Sequence, residues 1–216
     1  MSQTTDTLPV PLYSAAQVRE LDARLIAAGT PGYELMQRAA HAAWRAVRRR
    51  WPDADEISVL AGRGNNAGDG YLIAALAQRA GRQVRVLAVG DPQQLQGDAA
   101  QAFAEAQAAG VKVTPWAAGT DLRGVLVDAL LGTGIAGEVR EPYASAIRAM
   151  NESAQPILSV DLPSGLCADT GHQLGAAVRA ELTVTFIGLK LGLFTGQGPD
   201  CIGALVFDDL QADTEV

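Results

Sequence analysis

Seven short apolar runs separated by helical patterns constrain this chain more than any other feature. The runs cover residues 57–61, 84–89, 111–113, 124–127, 157–160, 182–187 and 204–207, and valine, isoleucine and leucine dominate them. Alanine-rich helical patterns fill most of the early gaps, at 71–80, 98–109 and 143–151. Near-continuous apolar strands alternating with helices imply a mostly parallel sheet covered on both faces. The expected fold is therefore an α/β, Rossmann-like, doubly wound domain with three αβα layers.

Two more helices precede the first strand. Ser14 can cap a helix over 15–28, with Gly29 as its stop. A second helix follows Gly32, where Leu35, Met36, Ala39, Ala40, Ala43, Trp44 and Val47 recur at helical spacing and form one apolar face. Residues 1–12 are polar and proline-bearing and read as a flexible tail. A chain of 216 residues can bury one full core, so residues 13–216 are expected to form a single domain.

Charge and cysteine content narrow the function. A net charge of −7 argues against a nucleic-acid partner, which normally requires a basic face. The one dense basic run, Arg45, Arg48, Arg49 and Arg50, falls where a helix should end and complements its dipole. Cys167 and Cys201 are too few for a disulfide framework and lack the paired spacing of a zinc site, which suggests a reducing compartment. The N-terminus lacks a signal-peptide pattern, and no stretch approaches the ~20 apolar residues of a membrane span. A soluble, cytoplasmic protein is expected.

The polar residues cluster after strand ends. GRGNNAGDG follows the first run, DALLGTGIAGE follows Val127, DLPSG follows Val160 and GLKLGL follows Ile187. In an open parallel sheet the carboxyl ends of the strands share one edge, and ligands bind in the crevice outside it. GRGNNA fits the dinucleotide fingerprint through Gly62, Gly64 and Ala67, a weak signal alone. Asp69 does not suit an ordinary phosphate loop, and caps the helix or meets a neutral part of the ligand. Gly132, Thr133 and Gly134 offer amides and a hydroxyl to an anion.

Asn66, Asp128 and Ser164 bring an amide oxygen, a carboxylate and a hydroxyl from three strand ends. Hard cations take oxygen ligands, and one carboxylate among neutral oxygens suits a monovalent ion. Lys190, the one cation at that edge, could hold a phosphate, orient an acid or pair with Asp161. A serine hydrolase does not fit. DLPSG is not the nucleophile elbow, and the available bases are His41, on the N-terminal helix, and His172, in a polar turn.

Four ordered motifs, GRGNNAGDG, VDALLGTGIAGEVREPYASAI, SVDLPSGLCADTG and LTVTFIGLKLGL, together with PGYELMQRAA near the N-terminus, resemble the YjeF N-terminal family, the NAD(P)H-hydrate epimerases. The likeness runs from Ala15 to Asp208. Its main departure is Ala67, where the family usually has a second consecutive glycine. The resemblance implies an isomerase that interconverts the R and S forms of hydrated NADH and NADPH, NADHX and NADPHX. A partner dehydratase, in some members fused in the same chain, then consumes the S form. It implies K⁺ on Asn66, Asp128 and Ser164. It also implies substrate contacts from Asn65, Asn66, Ala67, Gly68 and Asp69, from Gly132, Thr133, Gly134, Ile135, Ala136, Gly137 and Glu138, and from Asp161.

Inversion at C6 of the nicotinamide ring needs proton transfer at its hydroxyl. Asp161 is the expected acid/base, with Lys190 tuning its charge. Alternatively Asp161 is a strand-end cap or supports the cation from behind. Two rival functions remain: a nicotinamide-dependent oxidoreductase, with Asp91 as the ribose-binding acid, and a non-catalytic binding module. Self-association as a homodimer is expected through the alanine-rich N-terminal helices, whose apolar faces need cover.

Overall fold

A computed structural model of the protein describes residues 2–3, 11–135 and 137–211. Its centre is an eight-stranded sheet built from β1 (Ser2–Gln3), β3 (Glu56–Ala61), β4 (Gln83–Ala88), β5 (Lys112–Pro115), β6 (Val125–Ala129), β7 (Ile157–Val160), β8 (Leu182–Phe186) and β10 (Ala204–Asp208). The spatial order is β1-β10-β8-β7-β6-β3-β4-β5. Every pairing is parallel except that of β1 with β10. From β3 the chain winds outward through β4 and β5, then returns to β6 and winds the other way. The strand order therefore reverses between β3 and β6, where an open α/β sheet opens its crevice.

The expected layers are present. Alternate residues of β3 face opposite sides: Ile57, Val59 and Ala61 join the core beneath α2 (Gly32–Arg50), α3 (Asn65–Arg79) and α4 (Gly97–Ala108), while Leu60 joins the one beneath α5 (Tyr143–Glu152). A third cluster lies under α6 (Gly198–Ile202), with Cys201, Ile202 and Leu205 buried in it. The first helix, α1 (Ala15–Ala27), has a reciprocal cap: Gln17 N donates to Ser14 Oγ and Ser14 N to Gln17 Oε1.

Three expectations change. The segment read as a tail carries two strands: β1 pairs with β10, and β2 (Leu12–Tyr13) pairs in parallel with β9 (Leu189–Lys190). Residues 1 and 4–10 of that segment lie outside the described residues. Much of the glycine-rich loop is helix, because α3 begins at Asn65 and not near Tyr71. Gly68 permits this: a Cβ there would lie 2.6 Å from Met36 Sδ of α2 and 3.1 Å from Ala99 Cα of α4. Finally, the apolar face of α2 is covered by the chain's own core, with Ala40, Ala43 and Val47 buried. The apolar face of α2 therefore needs no second copy to cover it.

Candidate active site

One cavity of about 680 Å³ lies over the strand-order reversal. Its walls come from the residues after β3, β6, β7 and β8, closed from above by α1 and α2. Asn65, Asn66, Asp69, Gly132, Thr133, Gly134, Ile135, Asp161 and Lys190 all line it. Four loops distant in sequence thus meet at one edge, as the placement of polar residues requires.

The backbone of the first loop reaches this edge only because residue 62 is glycine. A Cβ there would sit 1.9 Å from the Leu130 carbonyl oxygen, so the turns after β3 and β6 touch main chain to main chain. That contact brings Asn66 beside Leu131, whose carbonyl accepts from Asn66 Nδ2 at 3.2 Å.

Asp128, at the end of β6, is fully buried and answered entirely by neutral donors. Oδ2 accepts from Ser159 Oγ and Ser164 N, both at 2.8 Å; Oδ1 accepts from Ser164 Oγ at 2.5 Å and Leu130 N at 3.3 Å. Burial raises its pKa, and these hydrogen bonds only partly offset that. Ser164 Oγ also accepts from Leu131 N at 2.9 Å, which ties the three expected ligand residues to one turn. Within that network Asn66 Oδ1 is buried without a hydrogen-bond partner among the described residues. A desolvated carboxylate and an orphaned amide oxygen both call for positive charge, and no cationic side chain among the described residues hydrogen-bonds to either. Among the described residues no three His, Cys, Asp or Glu side chains gather to hold a metal. The donor set is one carboxylate plus neutral oxygens, which fits a monovalent cation.

Asp161 follows β7 in a left-handed conformation, φ +67°, uncommon outside glycine. Such conformations persist where the surroundings over-determine them. Here the Asp161 amide donates to the Val184 carbonyl at 2.7 Å. Asp161 Oδ1 accepts from Lys190 Nζ, from Thr185 Oγ1 at 3.3 Å and from Phe186 N at 3.2 Å. Lys190 is 1% exposed and directs all its donors here, to Asp161 and, at 3.0 Å each, to Thr185 Oγ1 and the Phe186 carbonyl. Of the roles open to Lys190, pairing with Asp161 is the one the structure contains. No hydrogen bond from the described residues reaches Asp161 Oδ2.

Asp69 is almost buried at the cavity wall. Burial holds its pKa well above the usual carboxylate range, and the negative charges of Asp161 and Asp22 push the same way. It lines the same cavity wall as Asp161, where its own burial favours the protonated form over the carboxylate.

Other expected contacts fall elsewhere. Ala67 is wholly buried in the core, and Gly68 is taken up by the approach of α3 to α2; neither lines the cavity. The methyl of Ala67 therefore narrows no ligand path. Gly137 and Glu138 are exposed outside the cavity walls, where a Cβ on Gly175 would meet Glu138 Cγ at 2.8 Å. Ala136 lies outside the described residues. Sequence reasoning missed Arg19 and Asp22 of α1, Arg63, Asp98 and Tyr143, all of which line the cavity. A signal for Asp22 existed: Ala15, Val18 and Leu25 form the buried stripe of α1, and Asp22 occupies the helical repeat between the last two.

The rival functions lose their residues. Asp91 caps a short turn, accepting from Gln93 N at 3.0 Å and Gln94 Nε2 at 3.3 Å, and does not line the cavity. His41 and His172 are exposed, and the Ser164 hydroxyl is turned to Asp128, so Ser164 is paired with a carboxylate and not with a histidine.

Comparison with known proteins agrees with this geometry. Residues 32–192 match the family described as YjeF-related protein N-terminus. The chain is 45% identical over 200 residues to the bifunctional NAD(P)H-hydrate repair enzyme Nnr of Coxiella burnetii, covering 92% of this chain and 41% of that protein. It is 38% identical over 204 residues to the NAD(P)H-hydrate epimerase of Limosilactobacillus fermentum, covering 91% of this chain and 95% of that one. The chain thus spans about two fifths of its bifunctional relative and nearly all of the single-function one. The crystal structure of yeast ynu0 (YNL200c) shares the fold, with a TM-score of 0.75 at 23% identity over 85% of this chain and 83% of that one. With its crevice, its strand-end residues and this match in agreement, the chain belongs to the YjeF-related N-terminal family.

Proposed function

We propose that the protein is an NAD(P)H-hydrate epimerase, interconverting the R and S forms of NADHX and NADPHX and so supplying S hydrate to a dehydratase. The dehydratase is a separate partner or a further part of a longer chain, as in bifunctional relatives. The observation that carries the reading is the asymmetry of Asp161. Its Oδ1 takes three donors and is fixed, while its Oδ2 takes none from the described residues.

Epimerisation at C6 proceeds by loss and return of the hydroxyl, or by opening and reclosure of the ring. In both routes a proton must be exchanged at the C6 oxygen. Asp161 Oδ2 performs that exchange, and Lys190, rigidly held, keeps the carboxyl group oriented and compensates its charge. Gly132, Thr133, Gly134 and Ile135 line the cavity, and a glycine-rich turn of this kind suits the diphosphate through its amides; Asn65 and Asp69 meet uncharged parts of the nucleotide. Asn66, Asp128 and Ser164 would hold a potassium ion, which supplies a fixed positive charge against Asp128 and the Leu131 turn. The low polarity of Leu35, Met36 and Ala39 along the opposite wall limits water around the reacting ring.

The test is direct. Pure S-NADHX incubated with the protein and resolved by chromatography should approach equilibrium with the R form far faster than in buffer. Relaxation at the buffer rate overturns the assignment.

A further inference from the structure

Asp22 is a cavity carboxylate with no hydrogen-bond or ion-pair partner among the described residues. It occupies a place on the buried stripe of α1 where an apolar residue is the ordinary choice, and it is half-buried against the cavity. No hydrogen bond or ion pair reaches it from the described residues. Burial raises its pKa; among charges the first contributor is Asp161, followed by Asp98, with Lys190 acting the other way. Asp22, Asp161 and Lys190 line one cavity, and their charges act on one another across it.

That position is built into the fold. Tyr13 of β2 lies in register with Lys190 of β9, one residue before the cap of α1. The amide of Ala15 then donates to Asp169 Oδ1 at 2.6 Å. The helix carrying Asp22 is thus registered by backbone pairing to the strand carrying Lys190. It also precedes residues 32–192, so the family match does not describe it.

We propose that Asp22 binds the ribose on the ring nitrogen of the hydrated nicotinamide, accepting hydrogen bonds from its 2′ and 3′ hydroxyls. The inference rests on the epimerase reading, and the covalent structure of the substrate selects the sugar. The ribose is bonded to N1, the neighbour of C6, whereas the carboxamide is on C3, across the ring. A group close to the residue that handles the C6 hydroxyl meets the ribose first. A vicinal diol offers two donors, and a carboxylate offers two acceptor oxygens. Dinucleotide-binding folds use an acidic residue on ribose in the same way, but here Asp91, which could fill that role, is engaged in capping.

The experiment compares NADHX with the hydrate of an NADH analogue carrying 2′-deoxyribose on the nicotinamide. Calorimetric binding and epimerisation are both measured on wild type, Asp22→Asn and Asp22→Ala, with melting curves verifying that each is folded. Wild type should bind the deoxy hydrate ~10-fold or more weakly, the scale of a hydrogen bond to a charged group. Asp22→Ala should bind NADHX weakly and no longer separate the two hydrates, and Asp22→Asn should fall between. Equal binding of both hydrates by wild type overturns the proposal. So does a ratio that survives in Asp22→Ala. Binding with the expected ratio but without turnover overturns the epimerase reading and leaves the ribose contact standing.

Discussion

Lys190 is buried against Asp161, yet the two residues lie 29 positions apart and are fixed by different devices: Asp161 by a left-handed turn after β7, Lys190 by the pairing of β9 with β2. The ammonium is 1% exposed and the carboxylate side chain 20% exposed, so little water screens the pair. Removing one partner strands the other, at a cost of about 3 kcal/mol or more. Lys190→Met should therefore be strongly destabilising, and Lys190→Met combined with Asp161→Asn should cost clearly less than the sum of the two single changes. Urea denaturation of the three variants checks this; additive losses would show that the pair is not coupled.

The cation site has a readout independent of catalysis. A ligand that binds only the folded state stabilises it by mass action, by about 2.7 kcal/mol at one hundred times its Kd. Melting temperature should rise with KCl relative to choline chloride at equal ionic strength. Asn66→Ala, which removes the orphaned buried oxygen, should abolish the difference. An undiminished potassium increment in that variant contradicts the assignment.

Asp69 sets a pH dependence of definite sign. Its folded pKa is raised by burial first and then by Asp161 and Asp22. Between the unfolded value of about 3.9 and the higher folded value, the native state holds a proton that the unfolded chain has released. Stability then falls as pH rises through that window. Asp69→Asn cannot ionise, so its stability relative to wild type should improve from about pH 4 upward, as urea midpoints in potassium-free buffer would record. A difference that stays constant with pH would show that Asp69 is not shifted.

Ala67 is an interior helical residue with no exposure. Ala67→Gly, which restores the glycine common in the family, should lower stability by about 1–2 kcal/mol through backbone entropy and the loss of a buried methyl. Epimerisation should be unchanged. A large kinetic effect would mean that the ligand meets this position after all.

Much of this was legible in the chain. The central strands β3, β6, β7 and β8 are buried on both faces, so their apolar runs stand out and their bounds agree within about two residues. Strand-end polar residues were equally visible, because Asp128 and Asp161 follow runs that otherwise exclude charge. The start of α3 was not, since Asn65, Asn66, Gly68 and Asp69 are poor helix formers locally and are held helical by packing against α2 and α4. Nor was the pairing of Tyr13 with Lys190, a two-residue contact across most of the sequence that leaves no local pattern. Asp22 escaped notice because it lies on a helix far from any strand end, although it interrupts an apolar stripe.

The most direct measurement gives wild type and Asp161→Asn the same pure S-NADHX and follows the R form by chromatography, with melting curves verifying that both are folded. Wild type should equilibrate the epimers far faster than buffer, and Asp161→Asn should be slower by ~10²–10⁴-fold, the usual contribution of a positioned acid/base. Relaxation of both at the buffer rate, or an asparagine variant as fast as wild type, would contradict the claim that this cavity epimerises the hydrate through Asp161.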